Sequence, residues 1–224
     1  MTIILLGGSP ALASSSSRLL LHVGERLALR GHRHTALQVR DLPARALLHA
    51  DHADAAIARA LTAIAAADAI VIATPIYKAS YTGLLKAFLD LLPQDGLAGK
   101  LVLPLATGGG QSHMLALDYA LRPVLHALAA RHVLSSIYAT SEQLDWNGQR
   151  LTLNPAIEAR VAAGIDDLSH ALLAPHRARD ERVTEAAAAD AAAADAAAAD
   201  AAAGRRPPSH NLTDQFYQPS SQAA

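Results

Sequence analysis

Three short stretches of this chain gather hydroxyl, glycine and tyrosine residues. The first reads Gly7-Gly8-Ser9-Pro10-Ala11-Leu12-Ala13-Ser14-Ser15-Ser16-Ser17. The second reads Thr74-Pro75-Ile76-Tyr77-Lys78-Ala79-Ser80-Tyr81, and the third Thr107-Gly108-Gly109-Gly110-Gln111-Ser112-His113. In the first, serine hydroxyls and free backbone N–H groups at a helix start suit one compact phosphate dianion, held by neutral donors and the helix dipole. The pattern is neither Gly-x-Gly-x-x-Gly nor Gly-x4-Gly-Lys-Ser/Thr, which excludes the dinucleotide and nucleoside triphosphate loops. In the second, two of the chain's five tyrosines stand together, and a tyrosine at a sheet end can cover a flat heterocycle by stacking. In the third, consecutive glycines let the backbone approach a ligand closely, and amides at the next helix start can stabilise negative charge on a ring. A phosphate at one loop and a planar ring between two others describe flavin mononucleotide (FMN).

For these stretches to meet, the chain must bring the ends of several strands to one edge. A β-type run at 2–6 leads into the first. Residues 14–30 follow with Leu19, Leu20, Val23 and Leu27 at helical spacing, serines to cap the start and Gly31 to stop it. A weakly alternating strand is expected at 34–39. Ile57, Leu61 and Ile64 mark a helix at 53–67. The strongest strand is 69–73, ending at Thr74-Pro75, and a helix at 81–92 is closed by Pro93. Residues 101–106 read as a buried strand in spite of Pro104. A long helix with a kink at Pro123 is expected at 112–131, a fifth strand at 133–138 and a last helix at 155–173. Five strands, each followed by a helix, predict an α/β fold: a five-stranded parallel sheet of order 2-1-3-4-5 with helices on both faces. Ligands bind such sheets outside the carboxyl ends of the strands, where the order reverses. The three stretches leave those ends.

Composition removes other classes. The chain has 224 residues, no cysteine and a net charge of −1. Disulfides, thiolate metal sites and iron–sulfur clusters are excluded, and there is no basic field for nucleic acid. No apolar run approaches the ~18 residues of a membrane span. The start of the chain lacks the basic region of a secretory signal, so a cytoplasmic protein is expected. His32-x-His34 and His49-x2-His52 are short spacings without supporting carboxylates, so no metal site is expected. Asp166 and Asp167 read as an exposed helix face, and Trp146 as a loop residue available for an oligomer contact. Residues 1–180 carry 16 Lys/Arg against 14 Asp/Glu, whereas 181–224 carry 3 against 6. The second stretch contains Ala-Ala-Ala-Ala-Asp three times, ending at Asp190, Asp195 and Asp200. That spacing sets successive aspartates ~140° apart around a helix, so no apolar face forms. A domain at 1–175 and a disordered tail at 176–224 are expected.

Taken together, Gly8-Ser9-Pro10, Thr74-Pro75-Ile76-Tyr77, Leu85-Lys86 with Leu89-Asp90, and Thr107-Gly108-Gly109 resemble the NADPH-dependent FMN reductase family. The likeness is strongest to the flavin reductase components of two-component monooxygenases of the alkanesulfonate type. It extends through Leu92-Pro93, Gly99-Lys100, Leu103-Pro104-Leu105-Ala106 and Asp118-Tyr119-Ala120-Leu121, and covers roughly 1–175. The resemblance implies a flavodoxin-like fold and a homodimer or homotetramer. It also implies hydride transfer from NADPH to FMN, with reduced flavin leaving for a flavin-dependent monooxygenase. By that likeness Ser9, Ser14, Ser16 and Ser17 hold the FMN phosphate. Pro75, Ile76, Tyr77 and Lys78, with Thr107, Gly108 and Gly109, surround the ring. Tyr119 resembles a tyrosine that marks a helix irregularity at the subunit interface. Family members often carry arginine directly after Ser-Pro and within the serine stretch, where this chain has Ala11 and Ser15. That departure bears on the grip on phosphate and on the choice of NADPH over NADH.

Flavin and nicotinamide carry the hydride themselves, so no side-chain acid–base pair is required. His113, at the glycine loop, could touch nicotinamide or solvent. Two other activities suit the same fold. One is a quinone or azo-compound reductase with flavin as a fixed group. The other is an FMN-binding electron carrier, which needs an acidic docking face. The slightly positive balance of 1–180 argues against the carrier.

Overall fold

The computed structural model describes residues 1–173, and the expected tail at 176–224 lies outside the described residues. The sheet is built from β1 (Thr2–Gly7), β2 (Arg33–Gln38), β3 (Ala69–Tyr77), β4 (Ser80–Tyr81), β5 (Leu101–Gly108), β6 (His132–Val133) and β7 (Ile137–Thr140). The parallel path runs β2-β1-β3-β5-β6, with β7 also on β5 and β4 folded back antiparallel on β3. This is the expected 2-1-3-4-5 order with its fifth strand in two pieces.

Side-chain alternation divides the core between two faces. Ile3, Leu5 and Val71 face α1 (Ser15–Leu29) and the last helix, Pro155–Leu173, through Leu20, Val23, Ile157, Val161 and Ile165. Ile4, Leu6, Ile70 and Ile72 face the other side. There they meet α3 (Ala55–Ala65), which follows a short α2 (Ala44–Leu48), and α4 (Gly83–Leu89), through Ile57, Ile64, Leu85 and Phe88. Four α-helix starts carry side-chain caps for their free N–H groups: Ser14, Asp54, Thr82 and Asn154. Among the described residues no helix is long and apolar enough to cross a membrane.

Several element boundaries differ from expectation, and two prolines explain much of the difference. In a strand the N–H and C=O of one residue point to the same side, and residues two apart share that side. Ala73 offers its carbonyl to Gly8, so Pro75 faces the side where β1 has already ended. No ladder N–H is required there, and β3 runs on to Tyr77 instead of stopping at Thr74-Pro75. Val102 accepts from Leu134, so Pro104 faces the fifth strand. That strand is interrupted between Val133 and Ile137, opposite the missing donor. Tyr81 belongs to β4, opposite Ile76, so the expected helix at 81–92 begins only at Gly83 and ends at Leu89.

The long helix expected at 112–131 is also not continuous. A 3-10 turn at Gln111–His113 precedes a π-helical segment, Leu117–Leu121, and then α5, Arg122–Ala127. Arg122 N–H reaches back five residues to Leu117, and Pro123 has no N–H to restore the four-residue pattern. Arg122 also spans the break in the fifth strand, donating to the carbonyls of Val133 and Leu134 at 3.4 and 3.5 Å. A hairpin of β8 (Leu144–Trp146) and β9 (Leu151–Leu153) was not expected, and α6 is Pro155–Leu173. Asp166 lies on α6 in a 2.6 Å ion pair with Arg30.

Candidate active site

Register brings the three stretches to one edge. Gly7 lies opposite Ala73, Ala73 opposite Leu105 and Pro75 opposite Thr107. The loops after β1, β3 and β5 therefore leave the sheet side by side, where β2 and β3 flank β1 and the strand order reverses.

After β1, Ser9, Ser14, Ser16 and Ser17 are all buried. They form a nest rather than a row of independent donors. Ser14, the N-cap of α1, accepts from the Ser17 N–H at 3.1 Å and donates to Ser17 Oγ at 2.8 Å. Ser16 Oγ lies 3.2 Å from Ser14 Oγ, and Ser9 Oγ accepts from the Ala11 N–H at 3.2 Å. Arg40, just past β2, also donates to Ser17 Oγ at 3.2 Å. With two donors already on its oxygen, Ser17 keeps its own hydrogen for an acceptor such as a phosphate oxygen. Arg40 belongs to no loop motif, and only the pairing of β2 with β1 brings it here.

After β3, Tyr77-Lys78-Ala79-Ser80 makes a two-residue hairpin turn. Lys78 and Ala79 both have positive φ, 51° and 63°, the backbone of a type I′ turn that ordinarily uses glycine or asparagine. Tyr77 and Lys78 are exposed, whereas Pro75 and Ile76 are buried in the strand. Ile76 packs its side chain into the core, so its backbone is the part available to a ligand. Thr82 ties this hairpin to the first loop. Its hydroxyl donates to the Gly8 carbonyl at 2.5 Å and accepts from the Leu85 N–H at 3.1 Å. Burial raises the pKa of the Tyr81 hydroxyl above its ordinary value.

After β5, Thr107 is buried and Gly109 exposed. Tyr138 on β7 donates to the Gly110 carbonyl at 2.6 Å, and a side chain at Gly108 would overlap the Tyr138 hydroxyl. Burial raises the Tyr138 pKa, which keeps the phenol a donor. His113 is exposed.

The family model for NADPH-dependent FMN reductase matches residues 1–145. The chain belongs to that family. An FMN reductase (NADPH) of Pseudomonas putida KT2440 is 42% identical over 174 residues, covering 77% of this chain and 88% of its own length. An FMN reductase (NADPH) of Escherichia coli K12 is 38% identical over 185 residues, covering 83% of this chain and 95% of its own. NADH-dependent FMN reductase SfnF of Pseudomonas putida is 36% identical over 122 residues, covering 54% of this chain and 64% of its own. Among solved structures, apo NADH:FMN oxidoreductase (EMOB) is 42% identical with a TM-score of 0.69, covering 75% of this chain and 87% of its own. This chain is thus a flavodoxin-like oxidoreductase, an NAD(P)H-dependent FMN reductase, with FMN and NADPH as its cofactors.

The loops of this FMN reductase fit that chemistry, with neutral donors for a phosphate at one end and backbone with an exposed tyrosine at the other. Two further features lie beside them. The π-helical segment carries Tyr119 79% exposed, next to exposed Met114 and Leu115. A cavity of about 420 Å³ lies between α1 and the β8–β9 hairpin, lined by Arg18, His22, Glu25, Trp146 and Arg150 among others. Trp146 is a strand residue, not a loop residue, and Arg18 lies 4.6 Å over its ring. Arg18 is therefore engaged in a cation–π contact, and Arg40 is the arginine that reaches the serines.

Proposed function

We propose that this FMN reductase treats FMN as a dissociable substrate and supplies the reduced flavin to a partner monooxygenase, in organosulfonate sulfur acquisition. Ser9, Ser14, Ser16 and Ser17 hold the flavin phosphate. Pro75, Ile76, Tyr77, Lys78, Thr107, Gly108 and Gly109 surround the ring, largely through backbone groups. The enzyme works in the cytoplasm as a homodimer or homotetramer with Tyr119 at the subunit contact, and residues 1–175 form the reductase domain. The observation that carries this reading is the π-helical segment Leu117–Leu121 with Tyr119 exposed upon it. It is the irregularity that the resemblance to the reductase components of alkanesulfonate-type monooxygenases implies. The apolar surface of Met114 and Leu115 beside it supports a contact with a second copy.

The test is a steady-state assay varying FMN, FAD and riboflavin against NADPH and NADH, followed by coupling to an alkanesulfonate monooxygenase. Turnover that keeps rising with FMN far above the enzyme concentration, and sulfite released by the coupled oxygenase, are expected. Saturation at one FMN per chain, with quinone a far better acceptor, would replace this reading with a quinone reductase. Deleting 181–224 is expected to leave FMN reduction unchanged, and a large loss would contradict the domain division.

A further inference from the structure

Arg40 stands immediately beyond β2 in the 3-10 turn Val39–Asp41, and its side chain is only 15% exposed. The two hydrogens of its Nη1 are shared among Gln38 Oε1 at 3.0 Å, Ser17 Oγ at 3.2 Å, the Ala11 carbonyl at 3.4 Å and the Ser9 carbonyl at 3.5 Å. All four acceptors are neutral. Nε is buried with no hydrogen-bond partner. The nearest carboxylate, Asp41 Oδ1, lies 3.7 Å from Nε, beyond hydrogen-bond reach, and Asp41 is 67% exposed to screening water. A guanidinium removed from water is unfavourable unless an anion answers its charge.

Three of the four acceptors belong to the serine loop. Residues 8–17 contain no lysine or arginine of their own. The positive charge at that loop therefore arrives from a neighbouring strand. Its seat is built: the Gln38 amide lies in the space that a side chain at Gly7 would occupy, and from there it holds Nη1.

We propose that Arg40 is the residue that makes this enzyme prefer FMN to riboflavin. Its guanidinium supplies the charge opposite the flavin 5′-phosphate, while the serines supply neutral hydrogen bonds. This rests on the serine loop being the phosphate site. Arg40 takes no part in hydride transfer and acts on affinity alone.

The test measures equilibrium dissociation constants of FMN and riboflavin on the full chain, by flavin fluorescence, for the parent, Arg40→Gln and Arg40→Lys. The parent is expected to bind FMN at least about tenfold more tightly than riboflavin, the scale of charge-assisted hydrogen bonds. Arg40→Gln is expected to weaken FMN by about tenfold or more and riboflavin by less than about twofold, with Arg40→Lys intermediate. Inorganic phosphate is expected to raise the melting temperature of the parent but not of Arg40→Gln. Equal weakening of both flavins would reduce Arg40 to a brace of the loop and overturn the proposal. If Ser14→Ala and Ser17→Ala erase the preference for FMN while Arg40→Gln keeps it, the loop reading stands and Arg40's role falls. If the parent does not discriminate FMN from riboflavin, the phosphate reading fails first.

Discussion

Around Ser14 the proposed flavin site is buried and bonded to itself, whereas around Tyr77 it is exposed and its backbone is held in an unfavourable conformation. The serine hydroxyls bond to one another, with the Ser17 hydrogen left for an outside acceptor, and no residue of that loop has positive φ. The β3–β4 turn places Lys78 and Ala79 in the left-handed region and presents Tyr77 to solvent. One end is organised before a ligand arrives, and the other is open. Such a division suits the proposed exchange, in which flavin enters oxidised and leaves reduced. On the proposed reading, affinity would be concentrated in a few charge-assisted contacts at the phosphate, with the ring end left open to solvent at Tyr77.

The largest expected effect breaks the rigid strut of the open end. Gly108→Ala drives a methyl into the Tyr138 hydroxyl, which is buried and bonded to Gly110. Overpacking of this kind costs about 1–3 kcal/mol, and the displaced glycine loop should reduce FMN turnover about tenfold or more, since small misplacements near reacting groups have large consequences. Adding Tyr138→Phe removes the clashing oxygen, so the double variant should be more stable than Gly108→Ala alone. Urea unfolding of the four chains checks this, and additive losses would show that the two residues do not meet.

The next effect joins the two ends. Thr82→Val deletes the cap of α4 and the bond to the Gly8 carbonyl together. A cap and a buried hydrogen bond together are worth about 2 kcal/mol, or about 4–8 °C in melting temperature at this size. Thr82→Ser keeps both bonds and should stay near the parent. If Thr82→Val melts with the parent, the two loops are not tied through this hydroxyl.

The sheet order was legible in the sequence because buried parallel strands such as 69–73 are short apolar runs between turn signals. The serine, tyrosine and glycine stretches were legible because each follows such a run. What escaped was long-range or directional. Pro75 reads as the end of its strand, and Pro104 as a mark against a strand that is nonetheless expected; each faces a side with no partner demanding an N–H, which only the pairing reveals. The π-helical segment escaped the residue pattern because its apolar spacing matches an ordinary helix over so few residues; only the resemblance pointed to Tyr119. Arg40 escaped because its place at the serine loop depends on the register of β2 against β1, 23 residues from Ser17. Trp146 escaped because three-residue strands carry too little pattern to be seen.

A smaller effect separates ring from phosphate. Tyr77→Ala removes a half-exposed aromatic face, worth about 1 kcal/mol or roughly fivefold in affinity. FMN and riboflavin should weaken together, leaving their ratio intact, where Arg40→Gln changes the ratio. Competitive titration with both flavins distinguishes the two, and a Tyr77→Ala variant that weakens FMN alone would move the tyrosine to the phosphate end.

The smallest effect tests where the unfavourable backbone lies. An L-residue in the left-handed region is disfavoured by about 1–2 kcal/mol, whereas glycine gives back about 0.5–1 kcal/mol through the entropy of the unfolded chain. Ala79 has φ 63° and is exposed, so Ala79→Gly relieves the conformation without loss of packing and should stabilise the enzyme by about 0.5 kcal/mol. Ala11, exposed in the serine loop, is not among the residues with positive φ, so Ala11→Gly should destabilise by a similar amount. Denaturation midpoints of the two variants should move in opposite directions. Movement in the same direction would mean that the two loops carry their conformational energy alike, and that the openness of the ring end owes nothing to its turn.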